Sequence, residues 1–141
     1  MEYAALGPIA GIAFVVVAAD AAGRRKLDSI WVLVLCVVAI LSVTLVPVPG
    51  PSDVQLRLGE ASPSNDIANV ILFAPLGVVL YLRRWAAARS VLTALLLSAG
   101  IEIAQRAIPG RTTSLDDVVF NTLGAGVGWL LASLLWSRFR G

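Results

Sequence analysis

The chain has 141 residues, of which 58% are hydrophobic and 14% are charged, with a formal net charge of +2 and a mean hydropathy of +0.86. This composition is too apolar for the surface of a soluble domain of this length, so it predicts an integral membrane protein. The sequence lacks histidine and contains a single cysteine, Cys36. It therefore excludes chemistry that needs a histidine base or ligand, and it excludes an intramolecular disulfide.

Five uninterrupted apolar runs are long enough to predict membrane-spanning segments, at residues 3–19, 30–46, 67–82, 90–108 and 118–136. These runs are too long and alternate too little for barrel strands, and only helices or closed barrels satisfy the backbone in lipid. We therefore expect an all-α membrane protein, a small bundle of about five transmembrane helices. Because no low-complexity or charged stretch divides the chain, residues 1–141 are expected to form one domain.

The basic residues lie in clusters between the apolar runs, which fits membrane topology better than nucleic-acid binding. With five spans, one side of the membrane receives eight of the eleven basic residues: Arg24, Arg25, Lys26, Arg83, Arg84, Arg89, Arg138 and Arg140. The positive-inside rule predicts that this side is cytoplasmic, with the N-terminus outside and the C-terminus inside. The long connection at residues 47–66 is then external, and its alternating apolar pattern fits either a short strand or a segment lying on the membrane surface.

With this topology, the polar side chains of the last three predicted spans converge at the outer leaflet. They form a candidate ligand-binding pocket composed of Asp66, Asn69, Glu102, Gln105, Arg106, Arg111, Asp116, Asp117 and Asn121. The predicted span ends place Glu102 about 9 Å inside its helix end, and Asn69 and Asn121 about 5 to 6 Å inside theirs. A carboxylate at such depth costs on the order of 1 to 3 kcal/mol, so Glu102 needs a partner.

Each of these side chains also has a simpler structural explanation. Glu102 precedes Arg106 by four residues, which favours an ion pair within one helix. Ser114 and Asp117 have the spacing of a capping box, Asp66 suits a helix N-terminus, and asparagines join neighbouring helices by hydrogen bonds. Capping needs only one or two polar groups per helix, so the convergence of acids, amides and arginines from three helices favours a shared pocket.

Glycines and a proline in the same spans predict how the helices pack. Gly124 and Gly128 form a G-x-x-x-G pattern, which lets a neighbouring helix approach closely. Pro75, with Gly77 after it, predicts a kink in the third span. The third and fifth spans also share a loose pattern, in which an acid is followed by an asparagine and then by glycines.

Three motifs, in this order, resemble the VanZ-like family of bacterial membrane proteins: "DIANVILFAPLG", "IEIAQ" and "R-x-x-S-x-DD-x-x-x-NTLGAGVG", which begins at Arg111. The resemblance covers about residues 40–135. Many relatives carry an acid three residues after the arginine of the third motif region, where this chain has Ser114. The matching family positions are Asn69, Phe73, Pro75, Gly77, Glu102, Gln105, Arg111, Asp116, Asp117, Asn121 and Gly124.

The resemblance implies a multi-pass protein of the bacterial cytoplasmic membrane, in a family whose founding relative confers resistance to the glycopeptide teicoplanin. We expect a protein that binds or modifies a cell-envelope lipid or an amphiphilic glycopeptide, with membrane lipids as partners and no nucleic acid. The arginines would hold phosphate or carboxylate groups, and the acids would accept hydrogen bonds from sugars or amines, or share a divalent cation.

Two other functions remain open from the residues alone. One is an enzyme that transfers or hydrolyses a group on a lipid-linked substrate, and the other is a small transporter or accessory membrane subunit. The sequence contains no recognisable nucleophile and base pair, nucleotide-binding loop or zinc motif, and it identifies no cofactor.

Overall fold

The computed structural model describes residues 29–47, 63–111 and 113–137, and the regular elements in these ranges are all α-helices. There are four of them: α1 at Ser29–Thr44, α2 at Pro63–Leu82, α3 at Ala87–Gln105 and α4 at Leu115–Ser137. The prediction of an all-α protein is confirmed. The first predicted span, the basic segments at residues 24–26 and 138–140, and most of the 47–66 connection lie outside the described residues.

Three of the described helices are long and apolar enough to cross a membrane: α2, α3 and α4, with 20, 19 and 22 residues in their apolar spans. Helix α1 has 16 residues, which corresponds to about 24 Å at the usual rise and is shorter than a bilayer core of about 30 Å. The total of five spans and the orientation of the chain therefore stay predictions.

Glycines join α2 to α4, which run parallel to each other. A Cβ atom built at Gly124 would overlap the backbone of Val70, and one at Gly128 would overlap the carbonyl group of Ala74. From the other helix, a Cβ atom at Gly77 would overlap the carbonyl oxygen of Ala125. The two backbones are therefore in direct contact, an approach that side chains larger than hydrogen would prevent.

Helices α1 and α3 pack around this pair and complete the core. Phe73 in the middle of α2 is fully buried, and Ile40 of α1 and Ile101 of α3 belong to the same buried cluster. Helix α2 continues as one helix through Pro75, which is itself buried. The predicted kink at Pro75 stays a prediction.

The outward faces of the helices are apolar. Leu96 and Ile103 of α3 are 64% and 65% exposed, and Leu134 of α4 is 56% exposed. A water-soluble domain rarely presents so much continuous apolar surface, whereas hydrocarbon solvates it without cost.

Aromatic and basic side chains cluster where α2 ends. Arg84 adopts a positive φ of 61° just after α2, where the Trp85 amide donates to the Leu80 carbonyl at 3.1 Å. This is a helix-ending turn in which glycine is the usual residue. The Trp129 indole donates to the Trp85 carbonyl at 3.0 Å, and the Arg89 guanidinium lies 3.8 Å from the Trp85 ring centre.

We expect Gly77→Ala to destabilise the protein by about 1 to 3 kcal/mol, because its methyl group must push α2 away from α4. Reversible unfolding in mixed detergent micelles measures the change. Gly100→Ala is the matched control, because a Cβ atom there has nothing within 4 Å, and the substitution should stabilise α3 by about 0.5 to 1 kcal/mol. Equal stability of the two variants would contradict the role assigned to the glycine contact.

Candidate functional site

The predicted pocket residues gather at the end of the bundle where α1 and α3 end and α2 and α4 begin, which we call the polar end. At this end, α1 ends at Thr44 and α3 ends at Gln105. Helix α2 begins here at Pro63, and α4 begins at Leu115. Acids lie in the first turn of both starting helices. Helix dipoles favour negative charge at these positions.

Asn69 and Asp117 join α2 to α4 at the polar end. The Asn69 side-chain amide donates to Oδ1 of Asp117 over 2.9 Å. Asp66, one turn before Asn69, is close enough to interact electrostatically with Asp117, as are Asp116 and Arg111. The Oδ1 atom of Asp66 is buried and has no hydrogen-bond partner.

Asn121 lies one turn below Asp117 on the same face of α4, and its side chain is only 3% exposed. Its amide nitrogen donates to the hydroxyl oxygen of Ser98 in α3 over 2.9 Å. Its carbonyl oxygen, Oδ1, is buried without a partner. An unpaired buried polar group costs about 1 to 3 kcal/mol, so this oxygen is an acceptor available to a donor group.

Glu102 connects α3 to the start of α4. Its carboxylate accepts a hydrogen bond of 2.8 Å from the Ser114 backbone amide, just before α4 begins, and its side chain is buried. The predicted attraction between Glu102 and Arg106 is present as an electrostatic interaction, but Arg106 is exposed and the Glu102 carboxylate takes its hydrogen bond from Ser114. The predicted capping box is also wrong, because it required Asp117 to accept a hydrogen bond from the Ser114 backbone amide. Glu102 accepts that bond instead, and Asp117 accepts one from Asn69.

Gln105 and Arg111 hold the end of α1. The Gln105 amide donates to the Thr44 carbonyl oxygen over 2.8 Å. The Arg111 guanidinium donates to the carbonyl oxygens of Val46 and Val43, at 2.9 Å each. The last carbonyls of a helix have no partner within the helix, so these two side chains satisfy groups that would otherwise be exposed to lipid.

The charge of Arg111 is balanced by the acids around it. Burial lowers the pKa of the Arg111 guanidinium, and the carboxylates of Asp117 and Glu102 oppose that shift. A guanidinium stays protonated under these conditions. Arg111 therefore acts both as a brace for α1 and as a positive charge beside two carboxylates.

The observed helix ends change the predicted depths of the polar groups. Helix α3 ends one turn after Glu102, which places this carboxylate about 4.5 Å from the helix end and not 9 Å. Helices α2 and α4 begin at Pro63 and Leu115, so Asn69 and Asn121 lie about 9 Å inside, not 5 to 6 Å. The amides are therefore the deeper groups, and the acid is closer to the surface.

Ser98 and Thr113 belong to this polar network and were not identified from the sequence. Ser98 is fully buried and receives the Asn121 bond, and the Thr113 hydroxyl donates to the Glu102 carbonyl oxygen over 3.4 Å. Ser98 lies four residues before Glu102, on the same helix face. That spacing is the signal from which Ser98 could have been identified. It was missed because small polar residues in apolar helices are easily taken for packing residues.

The structure thus brings most of the predicted residues together but gives them unequal surroundings. Asp66, Asn69 and Asp117 lie at the junction of α2 and α4, Asn121 bonds to Ser98 of α3, and Arg106 is exposed. Within the part of the chain that the structure describes, no group of three or more Cys, Asp or Glu side chains is arranged to hold a metal ion. The divalent-cation option therefore gains no support from the geometry.

Comparison with known proteins matches the chain to a family model described as VanZ/LLP1, over residues 30–136. The matched range includes almost all of α1 and α4 and the whole of α2 and α3. No curated protein and no solved structure matches the chain.

We expect Arg111→Ala to release the end of α1, because two charged hydrogen bonds to its carbonyls are lost, at about 1.5 to 3 kcal/mol each. Hydrogen exchange of the amides at residues 41–47 should then accelerate by at least about tenfold, the equivalent of 1.4 kcal/mol. The control is Arg106→Ala, which removes an exposed arginine from the same connection. Unchanged exchange in Arg111→Ala would show that α1 is held by apolar packing alone.

Proposed function

Because this chain belongs to the VanZ/LLP1 family, and its apolar helices fit a membrane protein, we propose that it binds the polar head of an amphiphile at its polar end. The amphiphile is a cell-envelope lipid or an amphiphilic glycopeptide. In this proposal the polar end faces the outside of the bacterial cytoplasmic membrane, and binding contributes to glycopeptide resistance of the teicoplanin type or to envelope maintenance.

The observation that carries the proposal is the pair of unpartnered acceptor oxygens on Asp66 and Asn121, on either side of the bond between Asn69 and Asp117. Three other predicted pocket residues are used by the fold: Glu102, Gln105 and Arg111 bond to backbone groups. Acceptors that the fold leaves unused are the natural contacts of a bound molecule.

The surroundings of these acceptors suit a ligand with an apolar tail. Ile67 follows Asp66 directly and is 60% exposed. A polar head at Asp66 would leave its acyl or prenyl chain beside Ile67, in contact with lipid. Small ligands are usually held in this way, by extensive apolar contact and a few placed polar groups.

The alternative functions lack a specific observation in their favour. Among the described residues, Ser90 alone of the buried polar side chains lies at the opposite end of the bundle, where its hydroxyl bonds to the Ala86 carbonyl. A transport path would need polar groups along the whole bundle. An enzyme would need an activated nucleophile, and the hydroxyls of Ser98 and Thr113 bond to an amide and to a backbone carbonyl and not to a base.

We expect a cysteine that replaces Arg106 to react with a membrane-impermeant maleimide on intact cells, because this exposed position lies at the polar end. Replacement of Arg84, which is exposed at the opposite end, should give no labelling until the cells are opened. The background is low, since the native Cys36 is buried and is the one cysteine in the chain. The reverse labelling pattern would place the polar end in the cytoplasm and contradict the proposal.

In a susceptible host, the wild-type chain should raise the minimum inhibitory concentration of teicoplanin, and Asp66→Asn should return it to the value of the empty vector. Membrane abundance is measured in parallel, because the substitution tests binding only if the protein accumulates normally. Arg84→Gly is the control, since glycine suits the positive φ at this position and lies far from the polar end. Resistance that survives Asp66→Asn would remove this pocket from the mechanism.

A further inference from the structure

Neither arginine at the polar end is shown as a buried donor waiting for an anion. Arg111 donates from Nε and Nη2 to the carbonyl oxygens of Val46 and Val43. Arg106 is exposed at the C-terminal end of α3 and interacts electrostatically with Glu102. A phosphate or carboxylate head would therefore meet the exposed Arg106 and the remaining N–H donors of Arg111, of which the acids nearby already balance the charge.

The described residues of the polar end carry two more acidic side chains than basic ones. The basic residues are Arg106 and Arg111, and the acidic residues are Asp66, Glu102, Asp116 and Asp117. The first-turn positions of the aspartates let the helix dipoles stabilise these charges without a counter-ion. The local field therefore attracts a cation.

At the polar end, the buried side-chain atoms of the described residues that have no hydrogen-bond partner show the same preference. Both unpartnered side-chain oxygens, on Asp66 and Asn121, are acceptors. Asn121 lies one turn below Asp117, and its side chain is only 3% exposed. An ammonium group has three N–H donors and a positive charge, and so matches both the acceptors and the field.

We infer that the polar end recognises the primary ammonium group of an amphiphile, with Asp66 as its counter-ion and the Asn121 carbonyl oxygen as a second acceptor. This inference rests on the proposed function, and it names the chemical class of the headgroup. The source of the amine is either an aminated membrane lipid or the amino group of an amphiphilic glycopeptide, since both present the same chemistry.

The test uses the full chain in phosphatidylcholine nanodiscs and three probes with the same eight-carbon tail: octylammonium, octyl phosphate and octyl glucoside. Thermal unfolding is followed as each probe is titrated. Octylammonium should raise the Tm in a saturable manner, whereas the phosphate and the glucoside should leave it unchanged. This comparison is made on the wild-type protein, so it does not depend on the folding of any variant.

Asp66→Asn should weaken the apparent affinity for octylammonium about tenfold, because the counter-ion is lost while the shape of the side chain is kept. Asp28→Asn is the control of equal charge, since it removes the same charge from a residue outside the predicted pocket. If Asp28→Asn weakens binding as much as Asp66→Asn, the probe adsorbs through net charge and the inference is wrong.

The remaining outcomes separate the inference from the proposed function. Stabilisation by octyl phosphate alone, or by octyl glucoside as strongly as by octylammonium, overturns the ammonium assignment and leaves binding at the polar end supported. No stabilisation by any probe also overturns the assignment. The resistance measurement with Asp66→Asn then decides independently whether the polar end acts at all.

The two possible sources of the amine, a membrane lipid and a glycopeptide, are distinguished by repeating the unfolding measurement with phosphatidylethanolamine in the nanodisc or with teicoplanin in the solution.

Discussion

The structure depends on the direct backbone contact between α2 and α4. Apolar side chains gain little from association in lipid, so helices there associate through close packing and through hydrogen bonds. Gly77, Gly124 and Gly128 permit that packing, and the bond between Asn69 and Asp117 adds the polar component. Because the two helices run parallel, their N-terminal turns lie side by side and place Asp66 next to Asp117.

This arrangement divides the polar residues into two groups with different roles. Glu102, Gln105 and Arg111 satisfy backbone groups at the ends of helices, where unpaired carbonyls and amides would otherwise face lipid. Asp66 and Asn121 retain acceptor atoms that the fold does not use. A substitution in the first group that abolishes function therefore reports on stability. Only substitutions in the second group test recognition of a ligand directly.

Much of the fold was predictable because hydropathy and glycine spacing are local features. The apolar runs identified the helices, and the motifs from Asn69 to Gly124 identified the family that the match at residues 30–136 confirms. The exact partners of the polar side chains were not predictable. Glu102 has Arg106 within reach along its own helix, yet it bonds to Ser114 across a connection of nine residues between α3 and α4.

The sequence by itself determined that the chain is apolar, helical and polar at one end of its last three spans, because composition and periodicity express those properties directly. The tertiary structure alone decided which acids accept hydrogen bonds within the fold and which keep unused acceptors. The physical reason is that a hydrogen bond depends on distances of about 3 Å between atoms far apart in the chain. Arg111 shows the consequence: its position suggested a ligand contact, and its hydrogen bonds make it a brace for α1.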